Sequence, residues 1–294
     1  MPLTFGLQVP NFTWSGGPAE LGPKLTAIAR AAEASGFESV WVMDHFIQIP
    51  MAGREWDEML DSYTALAFLA GVTERVRLGA MVTGVTYRNV AHLGKIIATL
   101  DVLSGGRAIC GIGAAWFERE HRAYGWTFPS VRERLDLLED ALQVLPLIWG
   151  KGSPAFKGKV IEVPEALCYP RPLQEHVPIL VGGGGERRTL KLVAQYADAC
   201  NLFGDAASVA HKLPVLHGHC ADADRDLADI TVTHLSSARM SPDREGRVMT
   251  VEDHVGHYRQ LAEAGVQTAI VNLPDLDGPQ TVEAFAPVIA AFRG

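Results

Sequence analysis

Short apolar runs and helical patterns alternate from one end of this chain to the other. Strand-like runs fall at residues 3–9, 39–43, 76–82, 107–112, 178–181, 199–202, 230–235 and 268–271. Between and after them, the spacing of apolar positions predicts helices over 25–34, 62–72, 90–103, 131–149, 187–197, 206–221, 251–264 and 281–292. Local signals mark several ends: Gly36 closes the first helix, Asp61 or Ser62 caps the second, and Gly265 follows the seventh. The rhythm breaks once, over residues 150–177, where Gly, Pro and Lys gather around a short β-like piece at 159–163. The strands are continuous apolar runs, as when both faces of a parallel sheet are covered. Eight βα units are many for one open doubly wound sheet. The pattern therefore predicts an α/β fold, a (β/α)₈ TIM barrel. It would form a single domain over residues 1–294, with 150–177 as an insertion between strands 4 and 5.

Composition narrows the partners. Of the 294 residues, 48% are hydrophobic and 20% charged, which suits a folded globular chain with a large core. The net charge is −8 and the basic residues are dispersed, so no nucleic-acid footprint is present. No run of 18 apolar residues and no N-terminal apolar leader is seen, and no membrane partner is expected. Cys110, Cys168, Cys200 and Cys220 show no C-x-x-C spacing, which fits reduced thiols in a cytoplasmic protein.

A barrel carries its chemistry at the C-terminal ends of the strands, and that rule selects candidates. Strand one leads to Asn11 and Trp14, strand two to Asp44 and His45, strand three to Thr83 and Gly84, strand four to Gly113, Ala114, Ala115 and Trp116. Strand five leads to Gly182, Gly183, Gly184 and Gly185, and strand six to Asn201. Four consecutive glycines at a helix start let backbone N–H groups close on a phosphate, where a tight turn needs only one or two. Arg187 and Arg188 would add positive charge, while Glu186 opposes it. Gly111-Ile112-Gly113 is followed by Trp116 where a dinucleotide fingerprint needs glycine, so it reads as a strand end that admits a flat ligand. His45 is a structural histidine or, at this face, a proton carrier. Glu118, Glu120 and His121 read as a rim helix. No H-E-x-x-H and no G-x-S-x-G occurs, and no metal is expected.

Several blocks along the chain resemble the luciferase-like monooxygenase superfamily. They are AEASGFESVWVMDHF at 32–46, LGAMVT at 78–83, ATLDVLSGGR at 98–107, GIGAAW at 111–116, GGGGE at 182–186 and YADACN at 196–201. The Asp44-His45 pair and the glycine block look most like its coenzyme F420-dependent oxidoreductase branch. The resemblance implies a hydride-transferring enzyme whose cofactor is F420. The alternative within the superfamily is a monooxygenase using reduced FMN and oxygen, and a barrel that only binds a phosphate is a third possibility. Cofactor contacts would come from Asp44, Met81, Val82, Thr83, Gly113, Ala114, Ala115, Gly182–Gly185 and Asn201, with His45 catalytic. Trp14 and Trp116 would wall a substrate pocket, and their apolar character suits a substrate of low polarity. The resemblance also implies a non-proline cis bond at Met81–Val82 and a homodimer. Leu66, Ala67, Leu69, Ala70, Ile96, Ile97 and Leu100 of the second and third helices offer a surface for the dimer.

Overall fold

The structure is a computed structural model that describes residues 3–240 and 249–293. Its strands and helices alternate as β1 (Thr4–Val9), α1 (Leu21–Ser35), β2 (Ser39–Val42), α2 (Ser62–Val72), β3 (Arg77–Ala80), β4 (Thr83–Gly84), α3 (Val90–Ser104), β5 (Ala108–Gly113), α4 (Glu118–Ala123) and α5 (Val131–Trp149). A hairpin of β6 (Phe156–Lys157) and β7 (Glu162–Val163) follows. The alternation resumes with β8 (Ile179–Gly182), α6 (Thr189–Tyr196), β9 (Ala199–Leu202), α7 (Ala206–Asp222), β10 (Thr231–Ser237), α8 (Val251–Glu263), β11 (Thr268–Asn272) and α9 (Pro279–Ala290).

Every barrel pairing is parallel. β1 pairs with β2 on one side and with β11 on the other, and the ring continues through β3, β5, β8, β9 and β10. β3 and β4 are two halves of one barrel strand, both resting on β5. This is a closed (β/α)₈ barrel, and the hairpin lies in the insertion between its fourth and fifth strands. The predicted unbroken strand over 76–82 is divided at Met81–Val82, whose peptide bond is cis. A Cβ built on Gly111 of β5 would stand 1.9 Å from the Ala80 carbonyl oxygen, so only glycine permits β5 to lie this close to the break.

Helix ends follow side-chain chemistry. The Asp61 carboxylate accepts from the Thr64 amide at 2.8 Å and Asn89 from the His92 amide at 3.1 Å, starting α2 and α3. Ser130 with Glu133 forms a capping box for α5, and Thr250 with Asp253 does so for α8. These caps orient the helices whose apolar faces cover the barrel's outer wall.

Inside the barrel, alternation along β2 turns Trp41 inward, where it packs with Met81, Leu180 and Ile270. Its Nε1 donates to Ser39 Oγ at 2.8 Å, so the buried indole is satisfied. A Cβ at Gly79 would lie 2.6 Å from its ring, which explains a small residue on the adjacent strand. This inner cluster is the floor on which the site rests. The four cysteines are buried and free. Among the described residues no helix is long and apolar enough to cross a membrane.

Candidate active site

A cavity of about 330 Å³ opens above the inner cluster, among the C-terminal ends of β2, β4, β5, β8, β9 and β10. Its floor is alkyl and backbone: Met81 and Val82 at the strand break, Gly113 to Ala115 after β5, and Leu235 of β10. A Cβ at Gly182 would lie 2.8 Å from the Val82 side chain and one at Gly113 3.0 Å from it. These glycines are thus required by the protein's own bulge, and the result is a flat surface of low polarity. The far end is formed by Gly183, Gly184, Gly185 and Thr189, where α6 begins.

His45 stands at the other end, and its partners were not evident from the sequence. Its Nδ1 lies 2.8 Å from Glu120 Oε1. The second carboxylate oxygen accepts from the Phe46 amide at 2.9 Å, and the Tyr87 hydroxyl donates to Oε1. Glu120 has no exposed surface. Burial pushes its carboxyl up, but the hydrogen bond and charge of His45, with Tyr87 and the Phe46 amide, outweigh burial and hold it below the usual carboxylate range. An ionised acceptor requires a proton on His45 Nδ1, which leaves Nε2 for a substrate. The Tyr87 hydroxyl, buried beside the same carboxylate, is pushed far above its ordinary range.

The structure brings together His45, Met81, Val82, Gly113, Ala114, Ala115, Gly182 to Gly185, Asn201 and Trp116 around one cavity. Trp116 is half exposed and meets His45 edge-on at 5.8 Å. Three other candidates lie elsewhere. Asp44 is buried in an ion pair with Arg88 at 2.6 Å and accepts from Ser62 Oγ at 2.7 Å, behind the cavity wall. Thr83 Oγ1 is 2.7 Å from Tyr63 Oη, also behind the wall. Trp14 lines a second cavity between the ends of β1, β10 and β11.

Arg187 and Arg188 do not supply the expected charge at the glycine loop. Arg188 donates to Asp136 at 2.7 Å and, with Arg187, faces an outer recess between α5 and α6. A cation at the loop is instead Lys212 of α7, whose Nζ donates to the Gly184 carbonyl at 2.8 Å and lies 3.5 Å from the Glu186 carboxylate. Tyr87 and Phe203 follow strands three and six, as the rule of strand ends has it, whereas Thr189 and Lys212 lie on helices that the rule does not reach. For Glu120 a signal existed: Trp116, Phe117, Tyr124, Trp126 and Phe128 crowd around it in the sequence, and such aromatic density marks a helix that is buried against the barrel. Among the described residues no group of three His, Cys, Asp or Glu side chains stands together to hold a metal ion.

A parallel barrel with a split third strand and a glycine-rich end to its cavity defines a class, and the chain's similarities agree with it. Residues 3–277 match the luciferase-like monooxygenase family, and the chain belongs to that family. It is an enzyme of this oxidoreductase group. An uncharacterised protein of Mycobacterium bovis is 27% identical over 282 residues, 90% of this chain and 93% of that one. An F420-dependent glucose-6-phosphate dehydrogenase of Kineococcus radiotolerans is 38% identical over 164 residues, 55% of this chain and 47% of that one. The solved structure of an F420-dependent secondary alcohol dehydrogenase with an F420–acetone adduct superposes with a TM-score of 0.86 at 20% identity, both chains being covered in full.

Proposed function

We propose that this enzyme is a coenzyme F420-dependent oxidoreductase that moves a hydride between the deazaflavin and a small organic substrate. The observation that carries the reading is the Glu120–His45 pair facing a flat, glycine-floored cavity, since hydride transfer to or from a carbonyl or alcohol carbon needs a proton carrier beside it. The names of the Kineococcus and alcohol dehydrogenase relatives support the cofactor.

The residues present fit such a group. Met81, Val82, Gly113, Ala114 and Ala115 would hold the ring system, and Asn201 would meet its polar edge. The phosphate would meet the Gly183–Gly185 segment and Thr189, with Lys212 adding the nearby charge. When bound, the deazaflavin supplies a two-electron hydride donor or acceptor. The chain's own part is proton handling and position. Glu120 fixes the tautomer and ring plane of His45 and stabilises the imidazolium when Nε2 takes a proton from a substrate hydroxyl; in the reverse direction Nε2 returns it. Asp44 and Thr83 act through neighbours: Asp44 with Arg88 anchors the loop that carries His45, and Thr83 with Tyr63 anchors the strand beyond the break.

The reduced-FMN monooxygenase is the second reading, favoured by the name of the family itself. Fluorescence titration separates the two. F420 should bind in the micromolar range or tighter and FMN markedly less well, and a screen of alcohols and carbonyl compounds should show F420-linked turnover. Equal or better FMN binding would transfer the assignment to the oxygen-using reaction. We place the enzyme in the cytoplasm as a homodimer.

A further inference from the structure

The second cavity, of about 240 Å³, opens between the ends of β1, β10 and β11. Two of its lining residues carry buried polar atoms that no group among the described residues meets: the indole Nε1 of Trp14 and Oδ1 of Asn272. Trp14 is only 6% exposed and packs edge-on against Phe12 at 5.5 Å, so its ring is held in place. A buried donor or acceptor left without a partner costs about 1–3 kcal/mol. Here one such atom of each sign belongs to a residue that lines the same small space. The remaining wall is neutral throughout: Asn11 and Ser237 add polar groups, and Met51 and Leu273 add apolar surface. None of the described residues lining the cavity carries a charge.

We propose that this cavity is a binding subsite for a neutral group that both accepts and donates a hydrogen bond, a hydroxyl or a primary carboxamide. Trp14 Nε1–H donates to its oxygen and Asn272 Oδ1 accepts from its O–H or N–H. A carboxylate or phosphate would enter without a cation to meet it, and a plain hydrocarbon would leave both polar atoms unpaired. The subsite is continuous in sequence with the first cavity. Leu235 lines one and Ser237, two residues on along β10, lines the other; His45 and Met51 do the same from the loop after β2. The subsite is assigned the far end of a substrate whose reacting carbon faces His45. That placement rests on the functional reading above, while occupancy of the cavity does not. It makes the substrate a neutral polar molecule, in contrast to the sugar phosphate that names the Kineococcus relative.

The test uses full-length protein labelled with ¹⁵N at tryptophan, the Trp14 indole cross-peak being assigned with Trp14→Phe. Isobutyramide and propan-2-ol should shift that peak saturably, and isobutyrate at matched concentrations should not. Asn272→Leu should weaken the isobutyramide titration at least tenfold. Absence of a saturable shift with either neutral probe would overturn the subsite and leave water as its occupant. An equal response to isobutyrate would overturn the neutral class, and an unchanged titration in Asn272→Leu would remove Asn272 from the site. F420 titration of the same sample, read by cofactor fluorescence, reports separately on the first cavity. Failure there with isobutyramide binding intact would fall on the cofactor reading alone.

Discussion

A carboxylate with no exposed surface persists in charged form only where its oxygens are met by donors, and Glu120 meets His45, Tyr87 and the Phe46 amide. Replacing it with glutamine keeps the shape and removes the charge that stabilises the protonated imidazole. Glu120→Gln should therefore lower kcat by about 100-fold or more, within the range of general acid–base catalysis. Cofactor affinity should hardly change, because Glu120 itself does not line the cavity. Stopped-flow turnover with a parallel F420 titration checks both halves. The pH dependence follows from the same shift. A carboxyl held below its unfolded value, about 4.3 for glutamate, contributes stability that is fully present above that value and lost as pH falls through the lower folded one. The Glu120 carboxyl should thus stay ionised down through the ordinary glutamate range of about 4.3, read from its ¹³C chemical shift, and a titration at or above that range would contradict it. At the other end, a Cβ at Gly184 would meet only the flexible end of Lys212, at 3.2 Å, so Gly184→Asp should fold. Its carboxylate should weaken cofactor binding more than tenfold, about 1.4 kcal/mol, by like-charge repulsion; unchanged affinity would remove the phosphate from this loop. His45 and the glycines were legible because a barrel rule names strand ends. Glu120, 75 residues from His45, was not, because no local pattern records which helix will pack on which loop.

Elements were most legible where one face is apolar and a cap marks the end, as for α2 and α5, whose bounds the pattern gives to the residue. The insertion was legible as an interruption with one β-like piece at 159–163, which covers β7 and misses β6. Its hairpin strands are two residues each, too short for an alternation to show, and what holds them is a carboxylate from another element. Asp140 of α5 is 1% exposed and accepts from the backbone amides of Lys159, Val160 and Ile161 at 3.0, 2.6 and 2.9 Å. Gly158 makes the approach possible, since a Cβ there would lie 2.3 Å from that carboxyl group. Asp140→Ala leaves three amides without their acceptor and should destabilise the protein by about 1–3 kcal/mol. The loss should concentrate in the hairpin, read as faster amide exchange over residues 156–163 against unchanged exchange in β8 and β9. Uniform exchange in both regions would show that the carboxylate does not anchor the hairpin.

At the scale of the whole molecule, the alternation of eight strands and eight covering helices carried the barrel, because eight βα units are many for one open sheet and close more readily into a ring. A dimer surface would be less legible, since burial against the barrel and burial against a partner leave the same apolar letters in a helix. Of the seven residues that the sequence offers for it, Leu66, Leu69, Ala70, Ile97 and Leu100 are buried within the chain itself. What remains is a groove between α2 and α3 of about 280 Å³, lined by Ala67, Ile96, Thr99 and Leu103, with Leu103 63% exposed. An exposed leucine on such a groove is the feature that a two-fold interface would cover, because one patch then meets its own copy. Light scattering at micromolar concentration should accordingly give the mass of two chains. Leu103→Glu should give the mass of one, by placing a carboxylate against its symmetry mate across the shared groove, while F420 binding survives because the cavity lies at the barrel mouth and the groove on its flank. A single-chain mass for the unaltered protein would remove the dimer, and a two-chain mass retained by Leu103→Glu would move the interface to another face.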